Sequence, residues 1–207
     1  MPRRPSFPAQ VGNIVLAVHT IPRSAGGSRE DEERLRDVAA DLLNLVRRGP
    51  LGKKLFTAIA QRVVVCPVEL VAMRKSNEGL EVYLTQRPVK APTYAGLWHC
   101  PGSIQRHGET ASRTLERLAR EELGVGILGA RIIGCFDNLN HKPGGTARHS
   151  IYLVSFDRDP ECGEWFSVDN LPPNIVDHHR DVIIPAAIAA HYGNQTALER
   201  YLPTRII

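Results

Sequence analysis

Aromatic residues are scarce in this 207-residue chain, 6% of the total, and no stripe of lysine and arginine runs between them. A surface for nucleic acid needs both a basic track and rings on which bases stack, so no nucleic-acid partner is expected. Charge of a single sign is missing too. The 26 basic and 22 acidic residues are spread in short mixed runs, and the net charge of +4 favours anionic small molecules only weakly. No apolar run reaches the roughly 18 residues that cross a bilayer, so no membrane partner is expected. Cys66, Cys100, Cys135 and Cys162 are isolated from one another; with no C-x-x-C pair, the usual zinc and redox sites drop out and the four read as reduced core thiols. The N-terminal stretch MPRRPSFPAQVGNIVLAV places basic residues before apolar ones, but Gly12 and Asn13 interrupt it and no A-x-A site follows. Export is therefore not expected, and reduced thiols point to the cytoplasm. No repeat or low-complexity tract stands out.

What is present is the texture of a folded protein. Apolar residues make up 43% and charged residues 23%, near the average for globular domains. The length suits one domain with an extension. Asn13 to Ile21 is nearly continuous in β-branched and apolar residues and reads as a strand, followed by a loop at 22–27. Ser28, with Asp31 three residues on, makes a capping pair for a helix in which Leu35, Val38, Ala39, Leu42 and Val46 recur at helical spacing until Gly49-Pro50 stops it. Leu51, Leu55, Phe56 and Ile59 suggest a second, short helix. Residues 1–61 are thus read as an N-terminal extension of a strand and two helices. Its apolar stripe is buried either by its own domain or, as a dimerisation arm, by a twofold mate.

From residue 62 onward the texture is that of the main domain, 62–207. VVVCPVELVAMRK reads as a strand, turned by SNEG into LEVYLTQRP to make a hairpin. LWHCPGS leads to a helix from about Thr110 to Leu123, ended by Gly124. ARIIGCFDNL and SIYLVSF read as strands around the loop HKPGGTARH, and EWFSVDNLP precedes a terminal helix at about Asp181 to His191. Mixed strands and helices predict an α/β class, a mixed sheet with a helix on either side.

The segment that carries chemistry is PGSIQRHGETASRTLERLAREELGV, Pro101 to Val125. Positions 118, 121 and 122 are spaced i, i+3, i+4 and so are expected on one helix face. Glu121 and Glu122 there offer the carboxylate oxygens that a hard divalent cation prefers, a cation that also bridges to phosphates. The competing reading is that they are solvated residues. Against it, anions near a helix C-terminus oppose the helix dipole and call for a compensating cation. The segment resembles the Nudix family, whose signature is G-x5-E-x7-R-E-U-x-E-E-x-G-U with U apolar. Glu109, Arg117, Ala119, Glu121, Glu122, Gly124 and Val125 occupy matching positions; Ser103 replaces a glycine and Leu118 a glutamate. The flanking G-L-W-x-x-P-G and E-W-F-x-x-x-x-L-P are also similar to the family's.

The resemblance implies a Nudix-type α/β/α sandwich that hydrolyses a phosphoanhydride of a nucleoside-diphosphate-linked small molecule by divalent-metal-assisted attack of water. It implies Mg²⁺ or Mn²⁺ on Glu121, Glu122 and the carbonyl of Gly102, with Glu109 and Arg117 bracing loop against helix. Leu118 removes one carboxylate, leaving substrate phosphates to supply the missing oxygens. Arg87 and Arg148 are candidates for phosphate, and Trp98 and Tyr94 for a base, against plain surface charge and core packing. Lys90 shares the first of these readings. His149 and the run Asp177 to Asp181 offer an alternative base or merely a capped helix start. Two other readings stand beside the hydrolase. One is an isopentenyl-diphosphate isomerase-like enzyme, whose branch shares LTQRP, GLW and RLAREELGV but keeps its cysteine two residues away from the register of Cys100. The other is a nucleotide-binding or regulatory module that kept the fold and lost catalysis through Leu118.

Overall fold

The computed structural model describes residues 29–46, 52–141 and 145–202. The strand expected at Asn13 to Ile21, the loop after it, the Ser28 cap and the Gly49-Pro50 stop lie outside the described residues. The chain divides into two units, Met1–Leu51 and Gly52–Ile207. In the first, α1 (Arg29–Leu45) starts with Glu30, Asp31 and Glu32, acids at the end where the helix dipole favours them. Arg29–Glu33 and Arg36–Glu32 pair one turn apart along it. Of its apolar stripe only Val38 is buried, while Leu35, Leu42 and Leu43 are exposed.

The second unit opens with α2 (Lys53–Ala60), whose Phe56 and Ala60 pack with Val65 and Ala147. A seven-stranded mixed sheet follows. Its centre is β1 (Pro67–Ser76), antiparallel to β2 (Gly79–Gln86) and parallel to β6 (Gly145–Phe156). β5 (Ile127–His141) extends the sheet antiparallel to β6. On the other side, β3 (Trp98–His99) and β7 (Glu164–Ser167) pair with β2, and β4 (Gly102–Ile104) pairs with the first half of β1.

Strand alternation sorts the side chains of β1 onto two faces. Val68, Leu70 and Ala72 meet Leu115, Leu118, Ala119 and Leu123 of the helix α3 (Ala111–Leu118) and the wide π turn Ala119–Leu123 that continues it. Val71, on the opposite face with Val82, Leu84, Ile133 and Ile151, meets α4 (Ile184–His191) and its entry turn His179–Ile183. A helix on each face of a mixed sheet is the architecture expected from the sequence. A last helix, α5 (Gln195–Tyr201), had no counterpart in the sequence reading; Asn194 caps it by accepting from the Ala197 amide at 3.0 Å. The cysteines need a correction. All four thiols are free, yet only Cys100 is buried, and Cys66, Cys135 and Cys162 are exposed.

Candidate functional site

The loop from β4 to α3 is fastened by one ion pair. Thr110 caps α3 by accepting from the Arg113 amide at 3.2 Å, and the chain just before it is held by the carboxylate of Glu109. Arg117 donates to both oxygens of Glu109, at 2.8 and 2.9 Å, the bidentate geometry that gives the strongest carboxylate pairs. The Thr114 hydroxyl and the Arg106 amide add bonds at 3.1 Å each. Hydrogen bonding from Arg117 outweighs the opposing effect of desolvation and lowers the Glu109 carboxyl to about 2. Arg117 also reaches the hydroxyl of Ser103, 3.2 Å away, so the serine that stands in a glycine's place serves as an acceptor in the brace.

At Leu118 the expected geometry fails. Leu118 is fully buried in the core against β1, whereas Glu121 and Glu122 are exposed. The helix ends in a π turn: from Ala119 the backbone widens, the Gly124 amide bonds back to Ala119, and Gly124 closes the helix in the left-handed conformation at φ 68°. Leu118 is thus taken up by the core, while positions 121 and 122 stay open to solvent. Glu121 pairs with Arg120 at 3.2 Å. The Glu122 carboxyl is pushed up, first by desolvation and then by Glu121, against the pull of Arg117, Arg87 and Arg106. Three arginines thus act on the charge of Glu122, and a fourth, Arg120, pairs with Glu121. The Gly102 carbonyl is the third oxygen expected here. Leu70 donates to the Pro101 carbonyl, which makes Glu69–Gly102 the non-bonded pair of this ladder and turns the Gly102 carbonyl away from β1.

The opposite face of β1 joins His149, His178 and His179, weighed from the sequence as an alternative base, to Glu69, which the sequence reading missed. Glu69 is buried and lies against Gly102, where any Cβ would overlap its carboxylate. Its Oε1 sits 2.8 Å from Nδ1 of His149, a ring 1% exposed. Around His149 lie Phe136, stacked at 4.6 Å between centroids, His178 at 5.1 Å and His141 at 5.3 Å. His179 packs on His178 at 4.5 Å and on His99 at 5.9 Å, and its Nδ1 accepts from the Cys100 amide. Burial is the main force that depresses these imidazoles: His99 and His141 fall to about 4, His178 to about 3, and His179 well below its ordinary value. The usable signal in the sequence was a lone acid inside an apolar strand, PVELVAM.

The sequence profile of the NUDIX domain matches residues 67–185, more than half of the chain. The chain belongs to the Nudix family. Solved structures of similar fold include the MutT Nudix hydrolase of Burkholderia pseudomallei, 24% identical, covering 57% of this chain and 95% of that one at a TM-score of 0.50. The Nudix domain of Shewanella oneidensis NrtR, solved with ADP ribose, is 18% identical and covers 68% of this chain and 99% of that one at a TM-score of 0.51. At these identities the likeness is one of fold. No curated protein matches in sequence.

Of the residues expected in the site, Glu109 and Arg117 meet in the brace, Glu121 and Glu122 are exposed side by side, and the Gly102 carbonyl is turned away from β1. Arg87 follows β2, and its charge acts on Glu122 as well as on His99, His141 and His179. It also donates from Nε to the Thr93 carbonyl at 2.9 Å, tying down the loop on which Tyr94 takes φ 53°, the one positive φ among described non-glycine residues. Trp98 is not an open platform: its ring packs on Phe166 at 4.8 Å beside the core. Arg148 is already held by both oxygens of Asp137, at 2.7 and 2.8 Å. Cys100 is fully buried, and burial pushes its thiol well up, which does not suit a nucleophile. Among the described residues no three His, Cys, Asp or Glu side chains are grouped to hold a metal ion. The donor set near the box fits Mg²⁺, which takes one or two carboxylates and draws its other oxygens from water and substrate, better than an all-protein cage.

Proposed function

We propose that this Nudix protein hydrolyses a phosphoanhydride in a nucleoside-diphosphate-linked small molecule. The observation that carries the reading is the adjacent, exposed pair Glu121 and Glu122 at a helix C-terminus, with Arg87, Arg106 and Arg117 acting on the charge of Glu122. Carboxylates at that end of a helix are disfavoured unless a cation meets them. The pair and the Gly102 carbonyl would hold Mg²⁺ or Mn²⁺, which when bound polarises phosphoryl oxygens and acidifies a water. Arg87, with Arg106, draws the diphosphate to the box. Arg117 and Glu109 keep the loop that carries Gly102 in register with the helix. The substrate class takes support from the NrtR Nudix domain, which was solved with ADP ribose.

The decisive assay incubates the protein and Glu122→Gln with Mg²⁺ or Mn²⁺ and a panel of nucleoside diphosphate sugars and dinucleotides. Turnover by the wild type is expected to drop by about 100-fold or more in the variant. Turnover that Glu122→Gln leaves unchanged refutes the role given to the pair. A second reading, a nucleotide-binding or regulatory module, is favoured by Leu118, whose burial removes a carboxylate from the box. It gains if the wild type is inert towards the panel while a nucleotide raises its Tm. The buried thiol of Cys100 counts against the isomerase-like alternative. A homodimer through the N-terminal extension belongs to the same proposal, supported by the exposed Leu35, Leu42 and Leu43 of α1, and light scattering of the purified protein tests it. So does a cytoplasmic location; no described helix is long and apolar enough to cross a membrane.

A further inference from the structure

The carbonyls that end the box helix are met by a distant part of the chain. A helix leaves its last carbonyls without partners of its own, and its end frays unless other groups satisfy them. Here the loop 157–163, between β6 and β7, takes up three in succession. Arg158 donates to the Gly124 carbonyl at 2.6 Å, the Glu161 amide to that of Leu123 at 3.0 Å, and the Cys162 thiol to that of Glu122 at 3.1 Å. Arg158 also brings positive charge to the end of the helix where the dipole favours it. Just beyond the helix, the Gly126 amide donates to the Asp157 carboxylate at 2.8 Å and the Asp157 amide to the Gly126 carbonyl at 3.0 Å.

The loop is in turn fixed to the sheet. Gly163 takes φ 88°, and a Cβ there would overlap the Leu84 carbonyl and the Tyr83 hydroxyl, so the loop rests directly on β2. Asp159 pairs at 3.3 Å with Arg74 of β1, a guanidinium that also meets Glu81 at 2.7 Å and lies 4.3 Å from the centre of the Trp165 ring. The π turn is therefore held on its inner side by Ala119 and Leu123, packed in the core, and at its end by the loop. Glu121 and Glu122 leave the backbone within this turn, on its open side. Two flexible carboxylates can share one cation only if their backbone stays in place, which is the part that outer partners play around a metal.

We propose that the loop 157–163 positions Glu121 and Glu122 for the divalent cation, with Cys162 acting through the Glu122 carbonyl and Arg158 through that of Gly124. Both are positioning residues. The proposal rests on the hydrolase reading above and adds to its site two residues that lie outside the signature segment.

The test titrates the full chain with Mn²⁺ alone, followed by electron paramagnetic resonance, for the wild type, Glu122→Gln, Cys162→Ala, Cys162→Ser and Arg158→Met, with Tm recorded for each. Cys162→Ala removes the donor and is expected to weaken Mn²⁺ binding by about three- to tenfold, the worth of one hydrogen bond. Cys162→Ser keeps a donor and is expected to stay within about twofold of the wild type. Arg158→Met keeps the length of the side chain without its donors and is expected to weaken binding by about tenfold or more. Cys162 is exposed, so the comparison of its two variants stands even if Arg158→Met does not fold. A contact that serves the fold alone would lower Tm without separating serine from alanine in metal affinity, and that result overturns the proposal. So does Mn²⁺ binding that Cys162→Ala leaves unchanged while Glu122→Gln has lost it, an outcome under which the hydrolase reading stands. If the wild type binds no Mn²⁺, or Glu122→Gln binds it equally well, the metal role of the pair falls and the positioning role falls with it.

Discussion

Glu109 is the residue on which acid should act most visibly in the box. Its carboxyl is lowered to about 2 by Arg117, so the folded state holds it ionised more tightly than the unfolded chain does. The stability it contributes is fully present above the ordinary carboxylate value of about 4.3 and is lost as pH falls towards about 2. The Tm deficit of Glu109→Gln is accordingly expected to be largest near pH 6 and to shrink steadily towards pH 2.5. A deficit that stays constant over that range refutes the ionic origin of the brace. Leu118 makes the opposite kind of prediction. Leu118→Glu restores the family's signature on paper, but the side chain points into an apolar cluster with Leu70 and Leu115. An unpaired carboxylate there should cost about 3–5 kcal/mol, read as a lowered urea midpoint, with no gain in turnover. A stable and more active Leu118→Glu protein would show that the side chain can reach the box.

At the scale of elements, α3 begins on a cap and runs into a π turn, and its two limits were legible where the turn was not. Thr110 was readable as a start because a threonine ahead of an apolar periodic run satisfies an orphan amide. Thr110→Ala is expected to cost about 1 kcal/mol, checked by chemical denaturation, with little effect on the slope of the transition. Gly124 was equally readable as a stop. The π turn between them was not, because nothing in AREEL distinguishes a turn closed by i→i+5 bonds from one closed by i→i+4; the choice is made by packing Leu118, Ala119 and Leu123 on β1. Hydrophobic period likewise gave the hairpins and the two-faced sheet. It could not give the meeting of Glu69 with His149, 80 positions apart. That contact depends on the parallel register of β1 with β6, which sets Glu69 opposite Ile151 and has no local signature.

For the whole molecule the histidine group predicts an acid transition distinct from that of Glu109. His99, His141, His178 and His179 have folded values below the unfolded value of about 6.5, so the unfolded chain binds more protons in between. The histidines' contribution should be complete above about pH 6.5 and fall as pH drops towards 4, before that of Glu109 begins to be lost. Arg87 adds to the repulsion, and Glu69, beside His149, is the carboxylate that meets the group. Calorimetry at pH 7, 5.5 and 4.5 checks this, with a Tm that is flat over that range as the contrary result. The other whole-molecule feature is the long edge of the sheet. Among the described residues β5 borders only β6, and Leu128, Ile132 and Leu139 on it are exposed. A straight strand of that length would offer neighbouring molecules a continuous template for growth. Its register slips at three places, between Ile127 and Gly129, Ile132 and Gly134, and Asn138 and His141, and each slip bends the strand and breaks the row of free amides and carbonyls. The edge is cut into pieces too short to seed stacking, so concentrated solutions of the protein should resist fibril formation despite the apolar side chains the edge displays.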